Sequence, residues 1–179
     1  MLLLAERIAK QLGNAIVAPV LAYVPEGSIE PPAAHMRWPG TITVPEGAFE
    51  ATLESAARSL QRAGLKHVVL LGDHGGYAKS LARVAARVPG VFSPPEYYRA
   101  SSAEHAAALR ARGFTDAQIG RHAGLADTSL MLALDASLVR AERLAKSTGE
   151  GADGDASRAE AALGKEAVDR IVSVTVEAI

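Results

Sequence analysis

The chain has 179 residues, of which 49% are hydrophobic and 22% are charged, and its net charge at neutral pH is −1. This composition is typical of one soluble globular domain, and the absence of cysteine excludes disulfides and thiolate metal sites. The nearly neutral charge provides no basic field for nucleic acid or an anionic membrane, and no apolar run approaches the roughly 18–20 residues that cross a bilayer. The apolar stretch at the start of the chain, MLLLA, is too short and is followed too soon by charged residues to be a signal peptide. We therefore expect a cytoplasmic protein.

A helix and a strand are predicted at the start of the chain. Apolar residues recur every four positions over residues 2–12, a spacing that predicts an amphipathic helix ended by the Gly-Asn pair after it. The apolar run AIVAPVL over residues 15–21 predicts a buried strand. Within it, Pro19 favours an edge position or a bulge because proline has no N–H to donate.

A long, proline-rich loop is predicted over residues 23–40. It contains His35 and the single tryptophan of the chain, Trp38. Long ordered loops in compact domains are often functional. In the functional interpretation of this loop, His35 points toward the glycine-rich turn at His74, in its own or a neighbouring subunit, and Trp38 packs as an apolar anchor. In the alternative interpretation the loop is structural, with a buried tryptophan and an exposed histidine. The sequence leaves both open.

The stretch KHVVLLGDHGGY over residues 66–77 organises the rest of the chain. Its four consecutive apolar residues predict a strand buried on both faces, and the turn after it presents Asp73 and His74 before the pair Gly75 and Gly76. Ligands of open α/β sheets bind at the carboxyl ends of strands, so this turn is a candidate site. Alternatively, Asp73 only caps the following helix. The turn has neither the Walker nor the dinucleotide glycine spacing, which excludes a phosphate loop.

Helices and short strands alternate along the chain, which predicts an α/β fold with a largely parallel sheet and one domain over residues 1–179. We find no internal repeat and no linker. The further predicted segments are strands at 41–44 and 91–92, helices at 45–63, 77–88, 101–112 and 159–179, and an exposed loop at 146–156.

The stretch TDAQIGRHAGLADTSLMLAL over residues 115–134 is the second informative one. It brings His122 and Asp127 close together in sequence before an apolar run, although the Asp-Thr-Ser triplet also suits the start of a helix. A helix-turn-helix is another interpretation. Its second helix, over residues 130–138, has no Lys, Arg, Asn or Gln to contact base edges, and the net charge is −1, so we disfavour nucleic-acid binding.

Three of the five histidines, His35, His74 and His122, lie in turns rich in glycine or proline. Imidazole and carboxylate ligands suit a borderline cation such as zinc or manganese, which lowers the pKa of bound water. His74 with Asp73 or Asp127 would supply part of such a site. Two or three ligands fall short of a closed coordination shell, so the residues alone indicate only a candidate metal-dependent hydrolase.

Three motifs, HMRWPGTITVP, LLGDHGGY and HAGLADTSLML, resemble in this order the creatininase (creatinine amidohydrolase) family. Its members typically have H-x-x-F-P-G-T, N-G-H-G-G-N and H-A-G-x-x-E-T-S there, and the resemblance covers most of the chain. It implies a three-layer α/β/α fold, commonly a hexameric assembly, and metal-dependent hydrolysis of cyclic or linear amides. We therefore expect a zinc or manganese ion, a small amide substrate and a homo-oligomer.

The resemblance also implies roles for single residues. His74 matches the metal-binding histidine of the glycine-rich motif, and Asp127 stands where many members have a glutamate ligand. If both bind one metal, their side chains should lie within about 5 Å of each other. His122 and His35 match histidines of the other two motifs and are expected to orient substrate or move a proton. The expected substrate contacts are Asp73, Gly75, Gly76, Tyr77 and Trp38.

The sequence departs from the family pattern at several points. Gly72 and Tyr77 replace the two asparagines of the central motif, Asp73 replaces its first glycine, and Asp127 is one methylene shorter than glutamate. The family's Glu-x-His motif and following Asp, which supply several metal ligands, have no counterpart, and the chain begins about where that motif ends. We expect either a start internal to a longer protein or a degenerate member without a full dinuclear site. The alternative function is accordingly a binding or assembly role with weak metal retention.

Overall fold

The structure, a computed structural model, describes residues 1–146 and 151–179 and contains two compact units. The first unit comprises residues 1–2, 16–98 and 179, and the second comprises residues 3–15 and 99–178. No helix in the described part of the chain has the length and apolar character needed to cross a membrane.

Most of the regular structure is helical. The described α-helices are α1 (Leu2–Leu12), α2 (Glu46–Arg62), α3 (Ala78–Arg87), α4 (Pro95–Arg99), α5 (His105–Ala111), α6 (Asp116–Ile119), α7 (Leu125–Leu134) and α8 (Ala161–Ala178). A π-helical segment, Ala100–Glu104, joins α4 to α5. Short 3-10 helices occur at Ala34–Arg37, Gly75–Tyr77, Ala136–Leu138, Ala141–Lys146 and Ala156–Arg158.

The first unit is built around a parallel pair of short strands, β1 (Val68–Val69) and β2 (Val91–Phe92). Val68 pairs with Val91 and Val69 with Phe92, and α3 forms the connection between the strands. The pair packs with α2 and α3 around an apolar core, as expected for a parallel unit whose crossover is a helix. Its buried side chains are those of Ala57, Val84, Val88 and Val91.

The predicted strands were only partly right. The strand at 91–92 is confirmed, but residues 15–21 and 41–44 form no ladder, so those two predictions were wrong. The strand predicted over 68–71 is shorter than expected and its residues are half-buried. In the described sheet β1 has one partner strand, β2. The three-layer α/β/α arrangement with a largely parallel sheet remains a prediction.

The predicted helices agree better, because their apolar spacing and end signals were strong. Helix α1 has the predicted bounds, and α2, α3 and α8 agree within two residues at each end. The helix predicted from Ser101 was wrong in its start, because helical structure begins at Pro95, a residue suited to a first helical turn. Ser101 therefore lies inside the π-helical segment and is not the N-cap of a helix. The predicted loop 146–156 lies partly outside the described residues.

The second unit is organised by the close packing of α7 against α8. A Cβ placed on Gly164 of α8 would lie 1.8 Å from the carbonyl oxygen of Ser129 in α7, so the two backbones approach closely there. Ile171, further along α8, is completely buried. A second apolar cluster of this unit contains Leu109, Ile119, Leu125 and Leu163.

Candidate functional site

The turn after β1 positions His74. Glycines are needed here for close packing: a Cβ on Gly76 would lie 2.7 Å from the His74 ring, and one on Gly75 would lie 3.0 Å from the Tyr98 hydroxyl oxygen. The glycine pair was predicted to let substrate approach the backbone. In the structure the ring of His74 packs against Gly76 and the ring of Tyr98 packs against Gly75. The ring of Tyr77, which follows the pair, stands edge-on to that of His74 at 5.0 Å between centroids.

The proline-rich loop supplies the other members of the site. The backbone N–H of His35 donates to the carbonyl of Glu26 at 3.1 Å, which brings these two residues of the loop side by side. The N–H of Glu26 donates in turn to the hydroxyl of Thr43 at 2.9 Å, and the hydroxyl of Thr41 donates to the carbonyl of His35 at 2.9 Å. The loop is therefore held by a hydrogen bond within its own backbone and by the hydroxyls of two threonines that directly follow it.

Glu26, His35 and His74 form one cluster in the first unit. One potential ligand atom from each lies within 4.8 Å of those from the other two. Nδ1 of His35 is 2.6 Å from Oε2 of Glu26, and the rings of His35 and His74 are 5.0 Å apart. All three residues are half-buried, so they are both held in place and accessible. One carboxylate and two imidazoles are donors suited to zinc or manganese, so the cluster fits such a cation.

Sequence reasoning identified two members of this cluster and missed Glu26. His35 and His74 were candidates because both lie in turns rich in glycine or proline. Glu26 lies in the same loop as His35, within a Pro-Glu-Gly run. A carboxylate in a rigid turn of a loop already considered functional was the available signal.

Tyr77 is a buried residue that holds the carboxylate of Glu26 in position. Its side chain packs with Phe49, 5.7 Å between ring centroids, and its hydroxyl donates a hydrogen bond to Oε1 of Glu26. Burial, followed by the bond to Glu26, raises the pKa of Tyr77 well above its ordinary value, so the phenol stays protonated and remains a donor at neutral pH. The residue predicted as a substrate contact is 8% exposed and supports Glu26.

The environment of Glu26 keeps its carboxylate ionised. Burial alone raises the pKa of Glu26, but hydrogen bonds with Tyr77 and His35 and the nearby His74 ring together lower it below its ordinary value. A negative charge thus lies beside two imidazoles. This arrangement attracts a cation and also fixes the orientation of the His35 ring.

Two predicted substrate contacts lie on the surface of the first unit. Asp73 is exposed, and its Oδ1 accepts a hydrogen bond from the hydroxyl of Tyr97 at 2.5 Å. Trp38 is 43% exposed, so the expectation that it packs as an apolar anchor was wrong. It follows directly after the 3-10 turn Ala34–Arg37 and precedes a proline, and its backbone N–H donates to the carbonyl of His35.

The second unit contains His122 and Asp127, both of which are exposed. Asp127 lies in the first turn of α7, and its Oδ2 accepts a hydrogen bond from the N–H of Ala123 at 3.0 Å. The carbonyl of His122 accepts a bond of 2.7 Å from the N–H of Asp153. The N-cap of α7 is Gly124, which has no side-chain cap bond, so Asp127 is not the capping residue that the alternative interpretation expected. Its bond to Ala123 ties the first turn of the helix to the residue before the cap. Its role as a metal ligand, and the distance expected between it and His74, remain predictions.

Comparison with known families identifies the chain. The family described as creatinine amidohydrolase matches residues 2–179, which is nearly the whole sequence. The chain belongs to the creatininase family. Comparison with curated proteins found no match.

Solved structures show the same fold. A manganese creatininase (described as "Creatininase Mn") has a TM-score of 0.75 and is 22% identical, over 98% of this chain and 79% of its own. A variant creatininase of the Zn-Zn type has a TM-score of 0.74 at 22% identity, over 98% and 78%. A putative creatinine amidohydrolase from Bacteroides fragilis has a TM-score of 0.68 at 19% identity, over 97% and 76%. The creatininase fold is therefore shared along nearly all of this chain.

Proposed function

We propose that this creatininase-family chain hydrolyses a C–N bond of a small linear or cyclic amide and depends on a divalent cation, zinc or manganese. The observation that carries the proposal is the family match over residues 2–179, which includes the turn with His74. Structures of this family described as Mn and Zn-Zn types support the choice of metals. The three-layer fold and a homo-oligomeric, by resemblance hexameric, assembly belong to the same proposal.

The cluster in the first unit provides the metal site of this proposal. His74 holds the cation, and Glu26 and His35 offer further ligand atoms within 4.8 Å. A divalent zinc or manganese ion supplies Lewis-acid chemistry, since it polarises a carbonyl and makes water more acidic. The charge of Glu26 compensates that of the cation, and Tyr77 keeps the carboxylate in place through its hydrogen bond.

The remaining roles follow from the family motifs. We propose that His122 orients substrate or moves a proton, and that His35, expected from its motif to be catalytic, acts at the metal as a member of the cluster. The assignment of Asp127 as a metal ligand remains a prediction of the family motifs. Exposed groups near the His74 turn are accessible to a small amide. The proposed substrate contacts are Asp73, Gly75, Gly76 and Trp38, whereas Tyr77 is buried and supports Glu26.

The test is hydrolysis of a panel of small amides, creatinine included, by metal-loaded and chelator-treated protein. We expect turnover that requires zinc or manganese and that is lost in His74→Ala. His67→Ala is the matched control, because His67 is an exposed histidine whose ring lies beside Phe92 rather than in the cluster. Absence of turnover for every amide in the metal-loaded protein would contradict the proposal.

A catalytically incomplete relative with a binding or assembly role is the second candidate. Two observations favour it. Asp127 is engaged by the backbone at the start of α7, and Tyr77, in place of a family asparagine, is buried against Glu26. For this function we expect a folded protein that hydrolyses no amide in the same assay.

A further inference from the structure

We infer that Glu26, His35 and His74 together bind one zinc- or manganese-type cation per chain. The inference deepens the proposed function by assigning a ligand set to its site, and this set differs from the pair His74 and Asp127 predicted from the family motifs. It makes a direct prediction about binding that does not depend on turnover.

The geometry of the three side chains carries the inference. Ligand atoms of a tetrahedral zinc site, bonded at about 2.0–2.1 Å, lie roughly 3.4 Å from one another. The ligand atoms of Glu26, His35 and His74 all lie within 4.8 Å of one another, so shifts of about an ångström, within the range of side-chain rotation, suffice for coordination. Two imidazoles and one carboxylate are also an established donor set for catalytic metals that keep an open position.

The backbone around the cluster holds these side chains in place before any ion binds. Glu26 and His35 are joined by a backbone hydrogen bond of 3.1 Å. The His74 ring lies so close to Gly76 that a Cβ there would be 2.7 Å from it. A preorganised site of this kind loses less conformational entropy on binding than ligands on free loops.

Tyr77 is the positioning residue of the site. It donates to Oε1 of Glu26, while Oε2 faces His35, so each carboxylate oxygen has a defined direction. Outer-shell partners of this kind orient metal ligands, and their loss typically costs about 10–100-fold in metal affinity. Tyr77 is itself held in an apolar cluster with Phe49 and Leu81.

The competing explanation is that the cluster is a hydrogen-bonded group and binds no metal. Nδ1 of His35 and Oε2 of Glu26 already lie 2.6 Å apart, a satisfactory hydrogen bond in itself. A bound cation would replace that bond with two coordinate bonds. The two explanations therefore differ in metal stoichiometry and in the effect of single substitutions.

Calorimetric titration of chelator-treated protein with Zn²⁺ or Mn²⁺, checked by elemental analysis after dialysis, decides between them. We expect one cation per chain, with affinity lowered by about 100-fold or more in Glu26→Gln, His35→Ala and His74→Ala, and by about 10–100-fold in Tyr77→Phe. His67→Ala should bind as the wild type does. Circular dichroism of each variant shows that the fold is retained.

Three results would overturn the inference. They are no stoichiometric binding, two cations per chain, or binding that survives Glu26→Gln and His35→Ala but is lost in Asp127→Asn. Hydrolysis is measured separately on the same samples. Binding by the cluster without turnover of any amide supports the inference and contradicts the hydrolase, whereas turnover unaffected by Glu26→Gln and His35→Ala contradicts the inference and leaves the hydrolase standing.

Discussion

Tyr77 donates a hydrogen bond to Glu26, which lies 51 residues earlier in the sequence. This bond joins the turn after β1 to the proline-rich loop. Since the pKa of Tyr77 is raised by burial and then by Glu26, the donor persists through the neutral range. One phenol therefore links the two segments that contain the candidate ligands.

Removal of this phenol should weaken the fold measurably. In Tyr77→Phe we expect the free energy of unfolding to fall by about 2 kcal/mol, because hydrogen bonds to charged groups contribute roughly 1.5–3 kcal/mol. Urea denaturation measures the change. Tyr23→Phe is the matched control and should leave stability unchanged, because Tyr23 is 60% exposed. Equal effects in the two variants would contradict a supporting role for Tyr77.

Sequence and structure agree most closely where local signals dominate. Helices α1, α2, α3 and α8 followed from apolar spacing and end signals, and the rings of His35 and His74 lie 5.0 Å apart, as the functional interpretation of the loop expected. The strand predicted at 15–21 failed because a strand requires a partner that composition cannot reveal. Glu26 was missed for a related reason: its importance comes from Tyr77, a distant residue in the sequence.

The ion pairs of Glu50 make stability depend on pH. Nε of Arg83 lies 2.7 Å from Oε1 of Glu50, and Nη2 of Arg87 lies 2.9 Å from Oε2. Hydrogen bonds from Arg83 and then Arg87 lower the pKa of Glu50 from its usual 4.5 to about 2. Because the folded state takes up this proton at lower pH than the unfolded state, the stabilisation is complete above pH 4.5 and disappears as the pH falls to about 2.

Glu50→Gln should therefore lower the midpoint of thermal unfolding at neutral pH, with a difference from the wild type that shrinks between about pH 4.5 and pH 2. Thermal scans across a pH series measure this trend. Glu142→Gln is the control, because Glu142 is 72% exposed, lies 4.0 Å from Arg143 and should have little effect. A difference for Glu50→Gln that is constant with pH would mean that its charge is not responsible.

Two helical glycines should respond oppositely to the same substitution. Gly164→Ala should destabilise the chain by about 1–3 kcal/mol, because its Cβ would overlap the carbonyl of Ser129 in α7. Gly47→Ala should be neutral or stabilising by up to about 1 kcal/mol, because no atom lies within 4 Å of a Cβ there and alanine favours helix. Chemical denaturation measures both. Stabilisation by both substitutions would show that α7 and α8 are not in close backbone contact.

The irregular segment at residues 15–21 has a consequence for the behaviour of the protein at high concentration. Ile16 and Val20 are 70% and 47% exposed in a segment without regular secondary structure and without a ladder in the described sheet. An apolar segment of this kind is a template on which a strand of a second molecule can add, which is how many aggregates begin. Pro19 interrupts the row of donors between these two residues and so acts as a gatekeeper against intermolecular pairing.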